Sequence, residues 1–156
     1  MTKGPVLLVE DDPSDARLIQ RAFGKVDTTI AVFRLTNGDD VVAYLSGESP
    51  YENRTMYPLP CVVLLDIKLP RRSGFEVLQW LRRQPSAVNR LPVIMLTSSR
   101  HSVDINRAYD LGANSYLAKP ETGSQLELLA AQFQSYWLAL NQSPDLHGNA
   151  SRLQRG

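Results

Sequence analysis

The chain has one cysteine among its 156 residues, Cys61. A disulfide within the chain and a cysteine-built zinc site are therefore both excluded. Cys61 is expected to pack as a small apolar residue. Charge of one sign is also lacking: 17 Lys and Arg against 16 Asp and Glu leave a formal net charge of +1. No bulk field points to nucleic acid or to a membrane surface. No apolar run is long enough to span a bilayer. Met1-Thr2-Lys3-Gly4-Pro5 does not read as a signal peptide, and a cytoplasmic protein is expected. His101 and His147 lack metal-ligand spacing. There are no internal repeats.

What is present is an ordinary globular composition, 43% apolar and 21% charged, in a length that suggests one domain. The stretch around which the rest is organised is Cys61-Val62-Val63-Leu64-Leu65-Asp66. A short apolar run without alternation reads as a strand buried on both faces, as in a parallel sheet. Asp66 stands where that strand leaves the core, and Leu69-Pro70 and Gly74 turn the chain into a helix. Similar apolar runs occur at Val6-Leu7-Leu8-Val9 and Pro92-Val93-Ile94-Met95-Leu96, with shorter strands expected over Thr28–Phe33 and Ser115–Ala118.

Helical patterns fill the intervals. Pro13 opens the first, with Ala16, Ile19, Ala22 and Phe23 on one face and Gly24 at its end. Asn37-Gly38-Asp39-Asp40 opens the second, with Val41, Val42 and Leu45 inward. The third runs from Gly74 to Arg83, the fourth from Val103 to Gly112, and the last from a Ser124 cap to Leu140. Residues 46–60 read as a long exposed loop and 85–90 as a short one. Residues 141–156 are polar and aperiodic and read as a disordered tail. Five β-α repeats predict an α/β fold with a parallel sheet and helices on both faces.

Polar groups stand at the carboxyl ends of four strands: Glu10 and Asp11, Asp66, Thr97 and Lys119. In a parallel sheet these ends share one edge, the usual place for ligands. Three carboxylates brought together repel, and a hard divalent cation such as Mg²⁺ relieves that. With a hydroxyl and an ammonium beside them, Asp66 is placed in a phosphoryl-transfer site, where a carboxylate can be the nucleophile. Asp12 and Asp15 read as solvated first-turn residues favoured by the helix dipole. Arg71-Arg72 reads as a solvated turn or as a contact for an acidic partner surface.

These residues together resemble the receiver domains of two-component response regulators, over about residues 5 to 140. The resemblance rests on Glu10-Asp11, Asp66 with Leu69-Pro70 and Gly74, Thr97-Ser98, and Lys119-Pro120. It implies a flavodoxin-like (βα)5 sandwich with strand order 2-1-3-4-5, a receiver domain over 1–140, and Asp66 as phospho-acceptor. It further implies Mg²⁺ on Asp11, Asp66 and the backbone carbonyl of Lys68, with Glu10 reaching the ion through water. Thr97 and Lys119 would hold the phosphoryl group, Tyr116 would join Thr97 as the switch, and the Lys119-Pro120 bond would be cis. A closer resemblance is to the stand-alone regulators of cyanobacterial phytochrome histidine kinases. It rests on Val9-Glu10-Asp11-Asp12-Pro13-Ser14-Asp15, the loop before Cys61, and Phe133-Gln134-Ser135-Tyr136-Trp137-Leu138. Asp12 departs from the Asn that is frequent there, leaving open whether it helps the metal or faces solvent.

The implied function is a single-domain response regulator that takes a phosphoryl group from a sensor histidine kinase, a phytochrome by the closer resemblance. It would assist its own phosphorylation and dephosphorylation without being an enzyme on other substrates. Its output would pass to a protein partner or a phosphorelay, since neither a helix-turn-helix nor a basic patch argues for DNA. Two other readings compete. One is a phosphohydrolase with an aspartyl-phosphate intermediate, against which Lys68 stands where such enzymes carry a second Asp. The other is a receiver that binds partners without phosphorylation, against which the complete constellation argues. In the last helix Leu126, Leu129, Ala130, Phe133, Trp137 and Leu140 form the expected inward stripe. Leu128, Ala131 and Leu138 lie off it, which predicts a homodimer through residues 103–140 centred on Leu128 or Leu138.

Overall fold

The computed structural model describes residues 4–147. Five parallel strands, β1 (Val6–Val9), β2 (Val32–Leu35), β3 (Val62–Leu65), β4 (Val93–Thr97) and β5 (Ser115–Ala118), form one sheet in the order β2-β1-β3-β4-β5. Between and after them lie α1 (Pro13–Val26), α2 (Gly38–Ser46), α3 (Gly74–Arg82), α4 (Ser102–Asp110) and α5 (Gly123–Phe133). The fold is the flavodoxin-like α/β sandwich that the alternation of strands and helices predicts.

The central strands are apolar throughout because both of their faces are covered. Leu7, Val9, Val63, Leu65, Val93 and Met95 point to the side of α2, α3 and α4. Val6, Leu8, Val62, Leu64, Ile94 and Leu96 point to the side of α1 and α5. Each strand residue thus feeds one of two cores in turn. Cys61 is buried in the second, where Phe23 of α1 also meets Phe133 of α5 edge to face, with ring centroids 5.4 Å apart.

Several elements depart from the expectations. Helix α1 continues through Gly24 to Val26, since contact with α5 offsets the modest cost of a helical glycine. Strand β2 starts only at Val32 because Asp27 accepts hydrogen bonds from the Thr29 amide and hydroxyl and holds a turn there. In α2, Tyr44 is fully buried and Val42 is half-buried. The 85–90 loop contains a 3₁₀ turn over Ala87–Arg90 that buries Ala87 and Val88. Thr122, not Ser124, caps α5, accepting from the Gln125 amide.

Past Phe133 the helix widens into a π-helical stretch, Gln134–Leu140. The wider turn breaks the 3.6-residue spacing. Leu138 consequently packs on the core, while Leu140 is 71% exposed. The cis peptide bond among the described residues is Ser49–Pro50; Lys119–Pro120 is not cis, contrary to what the resemblance implied. Residues 141–147 carry no helix or strand, though Leu146 packs against the core. The remainder of the expected tail, 148–156, lies outside the described residues.

The 46–60 segment is not exposed throughout. Arg54 donates to the carbonyls of Tyr44, Leu45 and Tyr57, tying the loop to the carboxyl end of α2. Tyr51 and Tyr57 stack with Tyr44, whose hydroxyl donates to the Pro58 carbonyl.

Candidate functional site

The sheet ladder delivers each functional side chain to its carboxyl edge. The Glu10 amide donates to Leu35, the Asp66 amide to Val9 and the Lys119 amide to Thr97, so these residues continue their strands by one step. Gly74 lets α3 start against that edge: a Cβ there would collide with the Asp66 carbonyl oxygen. Ser73 and Glu76 close a capping box at the start of α3.

Glu10, Asp66 and Thr97 are the polar residues buried among the described ones. Asp66 Oδ1 accepts from the Ile67 amide at 2.7 Å, and Oδ2 from Lys119 Nζ at 2.9 Å. Lys119 also pairs with Glu10 and, at 2.9 Å, with Asp15. Its three N–H donors are therefore matched by three carboxylates. Burial pushes the Glu10 carboxyl above its ordinary pKa, and the Lys119 hydrogen bond pulls it only part of the way back. For Lys119, burial alone would favour the neutral amine, but the hydrogen bonds to Glu10, Asp66 and Asp15 outweigh it and hold the ammonium above its usual range.

Glu10, exposed Asp11 and Asp66 each offer a carboxylate oxygen within 4.8 Å of the others'. Three hard oxygen donors so close, with a single ammonium shared between two of them, fit a divalent cation. The arrangement matches the divalent-metal site of receiver domains, for which Mg²⁺ is the usual ion. Asp12 is the cap of α1, accepting from the Ser14 and Asp15 amides. Its side chain is exposed to solvent.

Buried Thr97 ends β4 and lines a cavity of about 290 Å³ with Ile67, Lys68, Ser98 and Ser99. His101 and Asp104 also line it. Tyr116 is half-buried on β5, and its hydroxyl donates to the Ser99 carbonyl at 2.9 Å. Burial raises the pKa of that phenol. The predicted residues thus gather at one edge, with Glu10, Asp66 and Lys119 in direct contact.

Two residues were missed. Asp15 is not merely a solvated first-turn residue, since it holds Lys119. Its place in the opening turn of α1 is legible, but its partner lies 104 residues away and nothing in the local sequence marks it. Arg34 on β2 donates to the carbonyls of Glu10 and Asp11 and pins their backbone. Nothing in the local sequence marks it, because its partners lie on a neighbouring strand.

An open parallel sheet with an acidic trio, an ammonium and a buried hydroxyl at its carboxyl edge fits phosphoryl chemistry assisted by a divalent cation. The chain belongs to the response regulator receiver domain family, which matches residues 6–131. It is 34% identical over 133 residues to the response regulator Rcp1 of Synechocystis, covering 85% of this chain and 88% of Rcp1. It is 37% identical over 144 residues to the probable methanogenesis regulatory protein FilR2 of Methanothrix harundinacea, covering 89% and 86%.

Among solved structures, the phosphorylated cyanobacterial phytochrome response regulator RcpA superposes with a TM-score of 0.84 at 33% identity, covering 92% of this chain and all of that one. The Mn²⁺-bound form of Rcp1 superposes with a TM-score of 0.80 at 32% identity, covering 91% and 99%. Receiver domains are in general signalling domains. No helix among the described residues is long and apolar enough to cross a membrane.

Proposed function

We propose that this protein is a cytoplasmic single-domain response regulator whose Asp66 accepts a phosphoryl group from the phosphohistidine of a sensor kinase. The observation that carries this is the aim of the Asp66 carboxylate. One oxygen is held by the Ile67 amide and the other by Lys119, beside the acidic trio. The P–N bond of the phosphohistidine breaks as a P–O bond to Asp66 forms, and the imidazole leaves with the electron pair and takes up a proton. Lys119 and the Thr97 hydroxyl receive the phosphoryl oxygens. Asp11, Asp66 and the Lys68 carbonyl would hold Mg²⁺, with Glu10 reaching it through water, and the ion would neutralise charge on the phosphoryl group. Tyr116, bonded to the carbonyl of Ser99 two residues after Thr97, would report the change to the β5 surface.

The likeness to RcpA, a cyanobacterial phytochrome response regulator, supports a phytochrome as the kinase. The receiver in this reading extends over residues 1–140. Output passes to a protein partner, to a phosphorelay step or through self-association on the surface of residues 103–140. Val103, Tyr109 and Leu128 are exposed there at 75%, 49% and 59%. Leu138 packs inward and is withdrawn as the centre, leaving Leu128. Leu128→Asp should convert a dimer to a monomer in sedimentation equilibrium; a wild-type monomer at all phosphorylation states would reject the dimer.

Phosphotransfer profiling against purified histidine kinases, a phytochrome kinase included, tests the reading as a whole. Asp66→Asn should abolish acid-labile labelling and keep the fold. Undiminished labelling of that variant would reject Asp66 as acceptor.

A further inference from the structure

Lys119 has three carboxylate partners, and they are not equivalent. Glu10 and Asp66 belong to the trio that fits a divalent cation. Asp15 lies outside that trio, at the rim on the first turn of α1, 2.9 Å from Nζ. Its side chain is 39% exposed against 15% for Lys119. A cation on Glu10, Asp11 and Asp66 would draw on the same negative charge that holds the ammonium and would repel it at close range. Of the three bonds to Nζ, the one to Asp15 is the bond that does not compete with the metal. Asp15 is partly solvated and sits at a helix start, where negative charge is favoured.

We propose that Asp15 is a positioning residue for Lys119. It receives the ammonium when a divalent cation occupies the trio, so that Lys119 stays at the site and the cation enters at lower cost. This rests on the divalent-site reading of Glu10, Asp11 and Asp66.

Mg²⁺ titration by calorimetry of wild type, Asp15→Asn, Lys119→Met and the double variant tests it. Asp15→Asn should weaken Mg²⁺ about fivefold to tenfold, because Lys119 then faces the ion without its outer partner. Lys119→Met should bind more tightly than wild type. In the Lys119→Met background, Asp15→Asn should matter by no more than about twofold, since the two residues act as one unit. An equal loss in both backgrounds would make Asp15 a ligand or a plain field charge and overturn the proposal. An unchanged affinity of Asp15→Asn would overturn it as well. Failure of wild type to bind Mg²⁺ would be a different failure, rejecting the divalent site itself and the proposal with it. If Lys119→Met does not fold, Lys119→Gln serves the same cycle.

Discussion

Lys119 and Arg82 are both partly buried cations with their donors engaged, and they do opposite things. Lys119 is surrounded by carboxylates. Arg82 instead donates to the carbonyls of Asn89, Leu91 and Gly112 and to the side chain of Asn114. Asn114 in turn accepts from the Val93 amide. Arg82 thus sews the end of α3 to the starts of β4 and β5. Burial lowers its pKa, but a guanidinium remains charged. Carbonyls fixed in a backbone have no other cation to receive. Carboxylates with one shared ammonium do, and that exchangeability separates a working site from a rivet.

The broadest way to break this contrast is to remove both cations and add Mg²⁺. Arg82→Met leaves several inward acceptors unpaired and should cost about 3 kcal/mol or more. That loss should be the same with and without Mg²⁺ in thermal melts. Lys119→Met should cost about 2–3 kcal/mol without the ion, because Glu10 and Asp66 lose their counter-charge. Millimolar Mg²⁺ should restore most of it through binding to the native state. Equal Mg²⁺ rescue of both variants would erase the distinction.

Asp11→Ala comes next. It removes an exposed member of the trio without touching the Lys119 bonds, so the fold should hold while Mg²⁺ affinity falls at least about tenfold. Calorimetry that finds affinity unchanged would exclude Asp11 as a ligand.

A smaller effect is expected where polarity is purely structural. Tyr44→Phe removes the hydrogen bond to Pro58 and should cost about 1 kcal/mol at neutral pH. Burial pushes the Tyr44 phenol up to about 12. Its folded pKa lies above its unfolded value of about 10, so the unfolded state loses its proton first. Stability is therefore intact below pH about 10 and is lost as pH rises from about 10 to about 12. Denaturant melts across that range should show a shallower alkaline decline for Tyr44→Phe than for wild type.

The smallest change is kinetic. Lys68 is exposed beside the Thr97 cavity and is expected to hinder attacking water. Lys68→Asn should speed loss of the phosphoryl group about threefold, an effect of water access rather than of bonding. An unchanged or slower decay would remove Lys68 from that role.

Much of this is legible in the sequence. Unbroken apolar runs have one economical solution, a sheet covered on both faces, and that solution puts Glu10, Asp66, Thr97 and Lys119 on one edge. The order of strands came only with the resemblance, since local patterning holds no information about which strand lies beside which. Register effects escaped for the same reason. The late start of β2 depends on an Asp27 turn, and the rotation of Leu138 inward depends on a π-helical stretch that no 3.6-residue template contains.

By itself, then, the sequence determined the two-sided sheet, its helices and the chemical types at its carboxyl edge, because period and residue type are local properties. Which charges share a proton donor was decided by tertiary structure alone. Asp15 and Lys119 stand 104 residues apart, and Arg34 reaches Glu10 across 24. Those contacts exist because crossover connections bring β1, β2 and β5 ends within reach, and a pairwise electrostatic bond depends on distance in space rather than along the chain.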